Sequence, residues 1–343
     1  CLLVGQWYRE TNTSVWLIPI GICALLGLLG LLGGRRAHNN FGRRDGYMIV
    51  SSVWIIYSLI GMIPFLIDGH TDRVAVAFFE TMSGFTTTGA TAFSDVDALP
   101  HSILFWRSLT HWIGGMGIIF FTLAVLPAMG IGEQKLFSAE ATGLKMGKLH
   151  PRISTTAHWL WSVYFLITGS CILTYYLCGM SLFDAVNHGF ATIATGGFST
   201  HTESVAYFHS PAIEYATTFF MFLASTNFTL LYLFIIKRRF RQVLKDEELR
   251  LFFAIITLAV VIITITKWIE ADTISEQSFR NSLFNAMSLM STTGFTTDNF
   301  MLWPHLAWII LTAISVIGSC QGSTSGGVKV VRVLTSFKIV RNE

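Results

Sequence analysis

Residues 78–91 read FFETMSGFTTTGAT, and variants return at 186–199 as VNHGFATIATGGFS and at 283–296 as LFNAMSLMSTTGFT. Aligning Gly89, Gly197 and Gly294 brings the three copies into register. Phe78, Met82 and Phe85 lie eleven, seven and four residues before the first glycine. Val186, Phe190 and Ile193 hold those places in the second copy, and Leu283, Met287 and Met290 in the third. Apolar residues at i, i+4, i+7 describe one face of a helix, so each copy predicts a short helix running into a Thr/Gly-rich loop.

The surroundings of these copies are apolar. Of 343 residues, 52% are hydrophobic and 13% charged, with a mean hydropathy of +0.57. Soluble domains carry roughly 25% charged residues, so the composition is that of a bilayer protein. Charge-free segments at 15–32, 47–67, 108–128, 153–183, 215–236, 251–266 and 299–328 predict crossings. All but 251–266 reach the roughly 18 residues of a spanning helix. Arg250 and Lys267 extend that one by snorkelling to the interfaces. The five cysteines show no metal-type spacing. The chain starts at Cys1 rather than Met and stops at Glu343 just after an apolar segment, so it reads as a piece of a longer protein.

If each segment crosses once, eighteen of the 23 basic residues fall on one side: Arg35, Arg36, Arg43, Arg44, Lys135, Lys145, Lys148, Arg152, six within 237–250, and Lys329, Arg332, Lys338, Arg341. Basic loops stay in the cytoplasm. The outer side holds thirteen of the 20 acids, and such a face concentrates cations at the mouth of whatever lies below. Each Thr/Gly copy follows an inward-to-outward crossing and precedes the return, so all three belong to the outer side. Too short to cross twice, each is expected to be a re-entrant hairpin.

Non-helical backbone at membrane depth is tolerated only where protein buries it or where it lines an aqueous cavity. Inward-pointing carbonyls can then replace the hydration shell of a cation. Threonine favours extended backbone and adds a hydroxyl, glycine accepts positive φ, and oxygen-only donors suit a hard alkali ion. A single TTTG is an ordinary turn, and Gly114, Gly115 and Gly117 read as helix-packing glycines. Repetition at three matching positions makes the ion-binding reading the stronger one.

These residues resemble a known family. The order of segments, the loops TTGAT, TGGFS and TTGFT, and GSCQGSTSGGVKVVR at 318–332 are similar to the Trk/Ktr/HKT potassium transporters, nearest the bacterial TrkH-type membrane subunits. RRDGYMIV, FWRSLTHWIGGMGI and GGFSTH agree with this. The resemblance implies an all-α membrane protein of tandem M1–pore helix/loop–M2 repeats, K+-channel-like, around a pseudo-fourfold pore. It places the second helix of an N-terminal hairpin at 1–34 and repeats at 47–128, 153–236 and 251–343, three of four, with the fourth repeat absent. It implies potassium uptake across a bacterial inner membrane, K+ as the transported ion and no covalent cofactor or enzymatic activity. It also implies a homodimer in lipid, a cytosolic nucleotide-binding regulatory subunit of TrkA type, and no nucleic-acid partner. The filter residues carried over are Thr87, Thr88, Gly89, Thr195, Gly196, Gly197, Thr292, Thr293 and Gly294. The gate carried over comprises Gly318, Gln321, Gly322, Ser323, Thr324, Ser325, Gly326 and Gly327, with Lys329 and Arg332 just past it.

The residues alone also admit a kinked helix at 318–327. Glu80, which shares its place with His188 and Asn285, reads either as a cation-attracting carboxylate or as a hydrogen-bonded structural group. Arg107 reads as an interface residue, His111 as a packing residue, and 237–250 as a solvated amphipathic helix or, by the resemblance, a docking surface. A secondary transporter coupled to Na+ or H+ is the alternative function. It calls for paired charges at mid-membrane, which the segments scarcely contain. An intramembrane transferase would need an acid, His or Cys cluster, and none has catalytic spacing.

Overall fold

The computed structural model describes residues 1–34, 43–117, 153–273 and 275–342, and no strand occurs among them. Arg35, Arg36, Lys135, Lys145, Lys148, Arg152 and the far half of the 108–128 segment lie outside the described residues. Four of the charge-free runs form the longest helices, since in hydrocarbon only a helix satisfies every backbone group within one segment. These are α2 (Ser14–Gly34), α3 (Arg43–Gly61) with its short continuation α4 (Ile63–Asp68), α7 (Ile153–Leu177) and α12 (Glu247–Ala271). Stretches of 21, 18, 20 and 25 residues within them are long and apolar enough to cross a membrane. A short α1 (Leu2–Trp7) precedes them.

Between the long helices lie shorter ones: α5 (Val74–Phe85) and α6 (His101–Gly115), then α8 (Leu182–Ile193), α9 (Pro211–Ser225), α10 (Phe228–Ile235) and α11 (Phe240–Leu244). After α12 come α13 (Glu276–Met290), α14 (His305–Ile317) and α15 (Val330–Asn342). The three Thr/Gly copies supply α5, α8 and α13, as their periodicity predicts. Each packs between a long helix before it and a helix after it: α5 against α3 and α6, α8 against α7 and α9, α13 against α12 and α14. The triads meet where α8 touches α6 and where α13 touches α9.

Two expectations are corrected. Residues 215–236 do not form one continuous helix, because the chain bends by 105° between α9 and α10. Thr226 is extended there (φ −83°, ψ 148°), and the Asn227 side chain accepts the Thr229 N–H at 2.8 Å, capping a new helix. An Asn cap satisfies an orphan amide and favours a fresh start over continuation. Residues 237–250 are likewise not one helix. After α11 the Asp246 carboxylate accepts the Leu249 N–H at 2.9 Å and begins α12. Breaks also fall after Gly115, with Gly117 at φ 73°, and after Ile317, with Gly318 at φ 74°. The helix that follows each short one thus ends or breaks early in all three triads.

Two apolar cores hold this arrangement. The larger joins α7, α8, α9, α12, α13 and α14 through residues such as Tyr164, Tyr175, Phe252 and Phe284. The smaller joins α2, α4, α5 and α6 through Val15, Phe65, Ala77 and Ile103. Leu25, Leu29 and Leu32 on α2, and Phe253, Leu258 and Ile265 on α12, remain exposed on the outside of the bundle. That is the surface a lipid chain covers.

Candidate functional site: three matching loops and a glycine-rich loop

Each short helix ends in the same way. The amides of Thr87, Thr195 and Thr292 donate to the carbonyls three residues back, each at 3.1 Å. Those of Thr88, Gly196 and Thr293 donate five residues back to Ser83, Ala191 and Ser288, each at 2.9 Å. This pair of bonds is a Schellman turn, which requires a left-handed residue at its centre, usually glycine. Here that residue is threonine, at φ 53°, 53° and 56°. A β-branched residue in that region is strained, by about 1–2 kcal/mol. Gly89, Gly197 and Gly294, two residues on, are also at positive φ: 74°, 82° and 84°. Ser83 Oγ donates to the Ala90 carbonyl (2.6 Å), and Ser288 Oγ donates likewise to Phe295 (2.7 Å). Ala191 holds that place in the second loop and has no hydroxyl to do the same.

The loops come together edge to edge. A Cβ built on Gly89 would lie 1.8 Å from the Gly196 carbonyl oxygen, and one on Gly197 would lie 1.9 Å from that of Thr293. The same step, a glycine against the carbonyl just before the next loop's glycine, therefore occurs twice. Among the described residues, a Cβ on Gly294 would meet nothing within 4 Å, so the third loop presents an edge open to them. All nine predicted loop residues belong to this cluster. The carbonyl ends of α5, α8 and α13 run directly into it and carry the partial negative charge of a helix C-terminus.

Behind each loop a polar residue of the short helix ties down its outgoing limb. Glu80 Oε1 accepts from Thr91 Oγ1 (2.9 Å), and Oε2 accepts the Ala92 N–H (2.9 Å). His188 donates from Nδ1 to the Asp184 carbonyl, leaving Nε2 to accept from Ser199 Oγ, each at 2.9 Å. Asn285 Nδ2 donates to Thr297 Oγ1 at 3.1 Å. Glu80 is thus a buried structural acceptor, 1% exposed, rather than a lure for cations at the mouth. Arg107 is not an interface residue, since it is 2% exposed and donates from Nε to Glu80 Oε1 at 2.8 Å. His111 stacks on Phe198 with ring centres 4.0 Å apart, which agrees with a packing role.

The glycine-rich stretch is an irregular loop, not a kink within one helix, and it sits against the ends of two short helices. Ser319 Oγ donates to the Met290 carbonyl (2.8 Å), and Thr324 Oγ1 donates to those of Ile193 (3.0 Å) and Ala224 (3.2 Å). The Gly326 N–H donates to Thr292 Oγ1 at 2.7 Å. The Cys320 N–H donates to Ser225, and Gly322 accepts the Phe228 N–H, so the loop also clasps the break between α9 and α10. Gly318 and Gly327 cross so closely that a Cβ on Gly318 would fall 2.5 Å from the Gly326 oxygen. Lys329 closes the loop by donating to Cys320 O (3.4 Å), Ser323 Oγ (3.3 Å) and Ser325 O (2.5 Å). Arg332 is exposed on α15. The sequence did not reveal Glu248, whose Oε1 accepts the Gln321 N–H at 2.5 Å from the first turn of α12. It lies in a run of mixed charge that gives no hint of a buried partner.

At the outer end of α8, His201 lies between Asp97 (2.7 Å) and Asp184 (3.5 Å) and stacks on Tyr207. Burial pulls its pKa down, but the two carboxylates outweigh that and hold it above 6.5. Asp184 and Asp97, despite burial, are held below the usual carboxylate value, Asp184 by His201, Ser181 and Thr200 and Asp97 by Thr202 and His201.

Apolar helices long enough to span, broken helices between them, and backbone oxygens gathered at the ends of three short ones define a multi-pass membrane transport protein. The chain belongs to the TrkH family of cation transport proteins, whose pattern matches residues 19–343. Among its relatives, the Trk system potassium uptake protein TrkH of Escherichia coli (strain K12) is 38% identical over 339 residues, covering 98% of this chain and 70% of the relative. TrkG, a Trk system potassium uptake protein of the same strain, is 38% identical over 345 residues, covering 100% of this chain and 71% of the relative. The crystal structure of the potassium transporter TrkH from Vibrio parahaemolyticus superposes with a TM-score of 0.84 at 36% identity. The match covers 99% of this chain and 70% of that one.

Proposed function

We propose that the protein takes up potassium across a bacterial inner membrane as the ion-conducting subunit of a Trk-type system. The carbonyls of Thr87, Thr88, Thr195, Gly196, Thr292 and Thr293, around Gly89, Gly197 and Gly294, replace the water shell of K+. The observation that carries this reading is the repeated step from Gly89 to the Gly196 oxygen and from Gly197 to the Thr293 oxygen. A rotation repeated from loop to loop sets backbone oxygens about an axis. The open edge of the third loop gives room for a fourth, which completes a pseudo-fourfold ring. The three helix triads correspond to repeats at 47–128, 153–236 and 251–343. Potassium as the ion is supported by the relatives, which are potassium uptake proteins.

Ions leave past the loop at 318–327, which acts as the gate. Its hydroxyls and amides occupy carbonyls that would otherwise face a passing ion, and Lys329 holds it closed. A homodimer and a cytosolic nucleotide-binding subunit of TrkA type complete the assembly, as the family resemblance implies.

The test is growth-supporting K+ uptake by the full-length protein in a strain stripped of its own uptake systems. Wild type restores uptake, whereas Gly89→Val and Gly197→Val do not while still reaching the membrane. Normal uptake by both variants would refute the assignment.

A further inference from the structure

We infer that Arg107 and Glu80, neither of which faces the ion path, set ion specificity by fixing the spacing between the first two loops. The inference rests on the reading of the three loops as the ion-binding element. Arg107 reaches both loops at once. Its Nε donates to Glu80, whose oxygens hold Thr91 and Ala92 of the first loop, while its Nη1 donates to the Ser199 carbonyl of the second at 3.1 Å. Its guanidinium also lies 4.1 Å from the centre of the Phe198 ring. His111 stacks on that same ring and its Nδ1 accepts the Phe198 N–H at 3.4 Å. A Cβ on Gly196 would fall 2.3 Å from that nitrogen, so the second loop is held tightly against this cluster.

Among the described residues, only the first and second loops are linked through a buried ion pair. The second and third loops touch directly only through uncharged ties, Ser204 Oγ accepting the Thr296 N–H (3.3 Å) and the Ala206 N–H donating to Thr296 O (3.1 Å), while the Arg280–Glu214 pair (2.8 Å) joins α13 to α9 farther from the loops and is less completely buried than Arg107–Glu80. Strained backbone persists only where its surroundings over-determine it, and Thr87 and Thr195 lie on either side of this bridge. Discrimination between two monovalent ions depends on how far a ring of oxygens can contract. Loosening the bridge lets the ring close on the smaller ion. Arginine suits the task because a planar fork reaches two acceptors in fixed directions, and lysine cannot duplicate that geometry.

The test is the ratio of Rb+ to Na+ flux through full-length protein in liposomes, for wild type, Arg107→Lys, Glu80→Gln and Phe198→Leu. Arg107→Lys and Glu80→Gln are expected to lower the ratio about tenfold, equal to about 1.4 kcal/mol between the two ions, mainly by raising Na+ flux. Phe198→Leu keeps both charges, so it carries the test if either charge variant does not purify as a single species, and it should lower the ratio in the same direction. An unchanged ratio in the variants that purify, or an equal loss of both fluxes, would overturn the inference and leave the bridge a purely structural one. Neither result touches the filter assignment itself, which stands or falls on the glycine variants.

Discussion

Gly89 and Gly197 each face a carbonyl oxygen of the neighbouring loop only 1.8 and 1.9 Å from where a side chain would begin, far inside ordinary contact. Gly197→Ala would have to push the second and third loops apart and also force positive φ on a residue with a Cβ, so K+ uptake should fall to background. Gly294→Ala meets only the φ penalty from the described residues and should be the milder of the two, and parallel uptake assays check the order. His201 gives a prediction in pH. Its pKa is raised on folding, so its contribution is complete below 6.5 and fades as pH rises through the folded value. The lowered pKa values of Asp97 and Asp184 add stability that appears above 3.8 and is lost on acidification through their folded values. The wild-type melting temperature should therefore fall from about pH 6 to about pH 8, and His201→Gln should flatten that slope. Asp97 is half exposed, so the effect is modest. At this scale the sequence was most legible where a residue type recurs, as with the three central glycines. Arg107 was misread because its partners, Glu80 and Ser199, are 27 and 92 positions away and no local pattern marks them.

The elements were legible where period and length agree. Three short helices and four long ones follow from apolar spacing and from charge-free runs. The break at Ser225 was not, because the charge-free run continues through Ser225, Thr226 and Asn227 into apolar α10 while the cap at Asn227 redirects the chain. Asn227→Ala removes that cap and should cost about 1 kcal/mol, read as a lower melting temperature. Because Gly322 accepts the Phe228 N–H, the same change should also loosen the glycine-rich loop. The loop was visible as a cluster of glycines and hydroxyls, but its contacts with Ile193, Met290 and Thr292 needed the three-dimensional arrangement. Lys329→Ala deletes its three-oxygen clasp. It should raise K+ flux at rest and reduce the response to regulation, as should removal of residues 322–327. Unchanged resting flux in both would mean that the loop is only a bend.

In the whole molecule, the interrupted helices and the strained loops are two sides of one arrangement. Each short helix is followed by a helix that ends or breaks, and the carbonyls at the ends of α8 and α13 are met by hydroxyls of the glycine-rich loop rather than sealed within a helix. The family match runs over nearly the whole chain. The overall class was open to sequence reasoning because composition, charge asymmetry and threefold repetition all point the same way. The closeness of the loops was not, since it depends on contacts between segments about a hundred residues apart.

The most direct measurement is a density map of the full-length protein with Rb+ in place of K+, using the anomalous signal of the metal. The account predicts a Rb+ peak bounded by the carbonyl oxygens of Thr88, Gly196 and Thr293. A well-ordered map with no metal there, or with Rb+ bound elsewhere by side chains, would contradict it.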